Sequence, residues 1–276
     1  MSIRALANHA HVLPESINPN GTVDRLLRLL DACAIEQAVA FAPFAHQAEK
    51  AGIGDPNVWL AQQMKPHARL LAFGTIDPRR NDVREQVNRC ADLGFKGLKL
   101  HPNAQGFDIL APRMFDVYGA AQDRGLFCTF HSGVHRARLM QTSVLRFDEV
   151  AWNFPDLRFS LEHVGGYHFF HEALAVIFNH LPPPWETGRC NVFAGLASVF
   201  TSDHNRFWHL TDERLRELHA QVGVQQLIFG LDFPYNLERE TNVAIETIRR
   251  LFGAQDQALI LGGNLQRELG IDSNLL

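Results

Sequence analysis

The chain is poor in cysteine. Its four cysteines, Cys33, Cys90, Cys128 and Cys190, stand far apart in 276 residues with no C-x-x-C pair, so neither a structural zinc site nor a disulfide framework is indicated. Long hydrophobic runs are also missing: every apolar stretch is broken by His, Arg, Asp or Gly before it reaches the roughly eighteen residues of a membrane helix. Nor are there blocks of like charge. Lys and Arg total 26 against 30 Asp and Glu, a formal net charge of -4, which argues against a nucleic-acid partner held by a basic face. The opening residues MSIRALANHAHV carry neither the apolar core nor the cleavage site of a secretory signal. These absences lead to the expectation of a cytoplasmic protein with a small-molecule substrate, neither nucleic acid nor membrane as partner, and room for a homo-oligomer.

What is present is ordinary globular composition with one excess. With 46% hydrophobic and 20% charged residues, the chain suits one large domain with a sizeable core. Histidine stands out at 14, about one residue in twenty. It is the commonest metal ligand and an acid or base near neutral pH, so position decides which of the 14 matter.

Short β-branched and aromatic runs alternate with amphipathic helical patterns throughout. Eight runs read as strands: 3–11, 36–42, 68–76, 95–101, 126–131, 157–163, 191–197 and 226–232. Between them, Val23, Leu26, Leu27 and Leu30 fall at helical spacing behind a Thr22 cap, and Phe147, Val150, Ala151 and Phe154 repeat it. Gly94 and Gly125 stand where a left-handed C-cap is wanted. Eight strand-helix units in this length predict an α/β fold, a single-domain (β/α)8 TIM barrel over 1–276. An open doubly wound sheet is the alternative, but no G-x-G-x-x-G follows the first strand. The longest irregular interval, around 166–190, ends in Pro182, Pro183, Pro184 and Trp185 and is expected to lie at the mouth as a lid or an oligomer contact. The tail DQALILGGNLQRELGI reads as a final helix packed on the barrel.

In such a barrel the C-terminal strand ends line the site. Strand one ends in His9-Ala10-His11, strand five in His131, strand six in His163 and strand eight in Asp232. Alternation along a strand sends His9 and His11 the same way, so two imidazoles can grip one cation. His131 and Asp232 would complete a nitrogen-rich site for one divalent ion, zinc ahead of manganese, iron or cobalt, with a position left for water whose pKa falls towards roughly 7. Asp232 would accept the water's proton, and His163 would polarise a carbonyl or shuttle a proton. Each element alone has a bland reading as a polar pair, a satisfied core histidine or a strand-ending turn. Their joint arrival at strand ends favours the metal.

The same stretches carry a family resemblance. ANHAH, LLAFGTIDP, GFKGLKLHP, TFHSG, PDLRFSLEHVGG, LIFGLDFP and ILGGNLQREL occur in order over nearly the whole chain, and in this the sequence resembles the amidohydrolase superfamily, in its branch of compact metal-dependent hydrolases and decarboxylases. The resemblance implies a (β/α)8 fold, a divalent metal held by His9, His11, His131 and Asp232, proton handling by Asp232, and a catalytic His163. One departure is Ala7, two places before the first histidine, where many members have an acid; Ala7 is expected on the inward face beside His9, so that a supporting carboxylate is lost there. In strand four, Lys99 and His101 share a face near the mouth. Some superfamily members bridge two metals with a carbamylated lysine here; one metal and a substrate-facing Lys99 is the expectation.

Arg136, after strand five, suits a substrate carboxylate, and Phe44, Tyr167, Phe169, Trp185 and Tyr235 are candidates for the pocket wall. His46, His67, His180, His204, His209 and His219 read as surface or helix residues. The leading function is hydrolysis of an ester, lactone or amide of a small carboxylated substrate by metal-activated water. The alternatives are non-oxidative decarboxylation of an unsaturated or aromatic acid, and a catalytically silent binding barrel.

Overall fold

The computed structural model describes residues 5–271. Strands β1 (Leu6–His11), β2 (Gln37–Phe41), β3 (Leu70–Gly74), β4 (Gly97–Leu100), β5 (Phe127–His131), β6 (Phe159–Glu162) and β7 (Val192–Gly195) pair in parallel with their sequence neighbours. The eighth run is interrupted at Phe229: β8 (Leu227–Ile228) pairs with β7, and β9 (Gly230–Phe233) pairs with β1. The break lets one run close the barrel, and helices fill the connections. The fold is a single (β/α)8 barrel.

The sequence signals act as read. Thr22 caps the helix Val23–Ala32 by accepting from Arg25 N, and Gly94 and Gly125 take φ of 79° and 64° just past their helices. Two apolar layers follow from strand alternation. Leu6, Val39, Phe41, Phe73, Phe127, Phe193 and Ile228 fill the barrel's interior, where Leu265 and Leu269 of the C-terminal segment join them. Outward residues such as Ala7, Ala10, Leu98, Leu100, Cys128 and Phe130 belong to the larger layer beneath the helices. No described helix is long and apolar enough to cross a membrane.

Two expectations are corrected. Ala7 faces the outer layer, and Asn8 is the inward residue, bonded to Thr129 and Glu162. The cause is a bulge: pairing with β2 slips between Ala7 and Ala10, and His9 takes a φ of 67°, which resets the alternation so that Asn8, His9 and His11 all serve the interior. The 166–190 interval, expected at the mouth, runs to the other end of the barrel. It forms the helix Gly166–Asn179 and then a loop whose Pro182, Gly188, Arg189 and Cys190 line a cavity with Gly223, Gln225 and Gln226, where β8 begins. A chain leaving a barrel helix must return to the strand-start face, opposite the mouth.

Candidate active site

The barrel mouth holds a cavity of about 490 Å³. His9, His11, His101, His131, His163 and Asp232 line it, together with His46, His135, His204, Phe44, Asn205, Trp208 and Tyr235. Eight of the 14 histidines therefore share one cavity. Backbone strain gathers there as well. Of seven non-glycine residues with positive φ among the described residues, all but Ala34 lie at strand ends or in the loops that follow them: His9, Arg136, His163, Val164, Ser198 and Asp232. Each such conformation costs about 1–3 kcal/mol and persists only where the surroundings impose it.

His9 Nε2 lies 3.2 Å from His11 Nε2 and 3.2 Å from Asp232 Oδ1, and the last two atoms are 3.9 Å apart. Ligand atoms about 2.1 Å from one ion have such separations. The tautomer fits as well: His9 Nδ1 donates to Glu162 Oε2 at 2.8 Å, which leaves a lone pair on Nε2. Burial and the charge of Lys99 push His11 down to about 3 and His9 well below its usual value, so both rings are neutral. Burial opposes ionisation of Asp232, but its neighbours His9, His163 and His11, which favour the carboxylate, and a bond from Ser198 outweigh it and hold the carboxyl below the ordinary range. His131 is not in this tight group of three. It shares the cavity, its ring 4.9 Å from that of His163, and its Nε2 is buried without a hydrogen-bond partner. A buried nitrogen left unpaired is costly, and a cation at the mouth would satisfy it. The donors present therefore fit one divalent ion.

Glu162 escaped the sequence reading. It sits fully buried at the end of β6, accepting from His9, from Asn8 Nδ2 at 2.9 Å and from Ser160 Oγ at 2.6 Å. The signal was an acid inside the apolar run LRFSLEH. Gly195 makes room for it, since a Cβ there would lie 2.3 Å from the Glu162 carboxylate. Strand six thus places a carboxylate beside His9.

The remaining candidates divide. His163 Nδ1 donates to Ala197 O at 2.8 Å, and its ring stacks on Trp208 with centroids 4.8 Å apart. Since a carbonyl only accepts, the free Nε2 of the neutral ring is an acceptor. His101 is the converse: its Nδ1 accepts from Ala104 N at 3.2 Å, which puts the proton on Nε2, and its ring stacks on His131 at 3.8 Å. Lys99 lies under the cavity wall rather than on it. It is fully buried, with Nζ 3.1 Å from His9 Nε2, and burial lowers its pKa to about 8. Arg136 is exposed on its loop and lines no part of the cavity. Phe44 and Tyr235 are wall residues, whereas Tyr167, Phe169 and Trp185 are not. His46 and His204, read as surface residues, also line the cavity. Trp208, Asn205 and Ser198 come from the irregular run after β7, which has no periodicity to betray them.

The amidohydrolase family model matches residues 8–271. The chain belongs to the amidohydrolase family. No curated protein sequence matches it significantly. Among solved structures, it is similar to a 5-carboxyvanillate decarboxylase of Sphingomonas paucimobilis, at 17% identity and TM-score 0.74 over 98% of this chain and 100% of that one. A dihydroxybenzoic acid decarboxylase of Polaromonas with bound manganese and 2-nitroresorcinol gives 15%, 0.72, and 98% of both chains. A Pseudomonas putida protein provisionally assigned as a 2-pyrone-4,6-dicarboxylic acid hydrolase gives 17%, 0.70, and 99% of both. At these identities the likeness shows the shared barrel. An enzyme of the amidohydrolase superfamily, with a donor set at its mouth that fits a metal ion, is the common ground.

Proposed function

We propose that the protein is a metal-dependent hydrolase that opens an ester, lactone or amide bond of a small, flat substrate. The observation that carries this reading is the convergence of His9 Nε2, His11 Nε2 and Asp232 Oδ1 on the wall of a cavity that also holds the unpartnered His131 Nε2. A divalent ion held by these four residues would supply Lewis acidity and an activated water at neutral pH. Asp232 presents Oδ1 as the proton acceptor beside the bond to be cleaved. His163, with Nδ1 fixed on Ala197, accepts or returns a proton through Nε2. An acceptor at His163 Nε2 supports assigning the polarising role to His101 instead, whose Nε2–H would donate to a carbonyl oxygen. Lys99 acts from beneath, setting the charge around His9. Phe44, Trp208 and Tyr235 supply apolar faces that hold a flat substrate and displace water.

A second reading is non-oxidative decarboxylation of an aromatic or unsaturated acid. The same aromatic faces around the imidazoles favour it, since they form a slot suited to a planar ring. To separate the two, the protein is loaded with zinc, manganese or cobalt and offered lactones, amides and aromatic carboxylic acids, with proton release and carbon dioxide measured independently. Proton release from an ester or lactone, or free amine or ammonia from an amide, without carbon dioxide supports hydrolysis. Carbon dioxide from an aromatic acid replaces it with decarboxylation, and equal turnover in chelator-treated protein overturns both.

A further inference from the structure

Asp232 is held by a chain of side chains that no ligand position explains. Ser198 Oγ donates to Asp232 Oδ2 at 2.5 Å. Asn236 Nδ2 donates to Ser198 Oγ at 3.0 Å and to Leu231 O at 2.8 Å, so it ties the hydroxyl to the backbone just before the aspartate. Asn205 Nδ2 in turn donates to Asn236 Oδ1 at 2.9 Å and to Thr201 Oγ1 at 3.0 Å. All of these residues are buried. Asn205 lines the cavity, so the chain runs from the cavity wall, around behind the site, to the aspartate.

The backbone adds an independent observation. Ser198 and Asp232 both adopt left-handed conformations, with φ of 61° and 59°, although neither is glycine. Strain of this kind costs about 1–3 kcal/mol per residue, and glycine would relieve it at either position. The retained side chains meet across the strain in one short hydrogen bond. With Oδ2 occupied, only Oδ1 is turned to His9 Nε2 and His11 Nε2.

We propose that Ser198 is a positioning residue, backed by Asn236 and Asn205, which commits Asp232 to presenting a single oxygen at the mouth. The proposal rests on the reading of Asp232 as a ligand and concerns how that ligand is held. Without the hydroxyl, the carboxylate is free to turn and offer both oxygens, which alters the geometry of any ion it binds.

The test uses the full chain loaded with cobalt(II), whose visible absorption reports coordination number and geometry. Ser198→Ala and Ser198→Gly are compared with wild type. Both lose the hydroxyl, but glycine also relieves the backbone. The expected result is the same shift of the cobalt spectrum in both variants, with cobalt affinity lower by about 10- to 100-fold, the range for loss of a group that orients a ligand. A wild-type spectrum and affinity in both variants overturns the proposal, as does a normal glycine variant beside an impaired alanine variant, which would assign the effect to strain alone. If neither variant folds, Asn236→Ala is read the same way, since it keeps the serine but removes the bond that holds it. Failure of the wild-type chain to bind cobalt would instead strike at the metal reading on which the proposal rests.

Discussion

Gly195→Ala is the sharpest perturbation available, because it adds one methyl group outside the ligand set. That methyl would lie 2.3 Å from the Glu162 carboxylate, and the acid must retreat by about 1 Å or more to reach ordinary contact. The bond from His9 Nδ1 to Glu162 Oε2 is 2.8 Å long, so a retreat of that size breaks it or bends it past use. A hydrogen bond to a charged group is worth about 1.5–3 kcal/mol, which converts to a loss of about 10- to 100-fold in metal affinity if the bond fixes the tautomer and aim of His9. The assay is competition for zinc or cobalt against a chromogenic chelator, with melting curves to confirm the fold. Glu162→Ala removes the obstacle as well as the bond. In that background, Gly195→Ala should therefore cost little more, and the two losses should be far from additive. Additive losses, or a Gly195→Ala protein with wild-type affinity, would refute the steric argument and the support assigned to Glu162.

Other outcomes follow from the same geometry. His163→Asn should lower turnover at least about 100-fold, as expected when a proton-transfer group is lost, while the bound metal is unchanged by elemental analysis; loss of the metal would make His163 a ligand. The metal-free protein should lose stability in acid. His11 has a folded pKa of about 3, depressed from 6.5 by burial and Lys99, and burial lowers His9, His101, His131 and His163 too. Over the window between about 3 and 6.5 the unfolded chain therefore binds more protons, and stability rises with pH. The histidine contribution is flat above that window, so melting temperatures should fall steadily on acidification from pH 7 to pH 5, and saturating metal should hold them up. A pH-independent melt of the metal-free protein across this range would contradict the neutral, buried imidazoles.

Periodicity and strand-end placement made the barrel legible. All eight strand-like runs are strands, the last in two pieces, because buried parallel strands and capped helices leave regular marks. That His9, His11, His131, His163 and Asp232 meet at one cavity was legible for the same reason: a strand end is a place that sequence can find. What stayed hidden depends on local departures from regularity. The bulge at His9 inverted the facing of Ala7 and Asn8, since a residue at positive φ resets a two-residue alternation. Ser198, Asn205 and Trp208 lie in an aperiodic run and become site residues only through contacts with strands far away in sequence. Glu162 was missed because only the last residue of strand six, His163, was weighed as a site group. More of the histidine excess lies at the mouth than the sequence suggested, since His46, His135 and His204 also line the cavity.

The most direct measurement is the metal content of the purified chain after equilibrium dialysis at micromolar free zinc, manganese or cobalt. The account predicts close to one divalent ion per chain in the wild type and almost none in His9→Ala or Asp232→Asn of unchanged fold. A wild-type chain that binds no ion, or variants that retain it in full, would contradict the central claim.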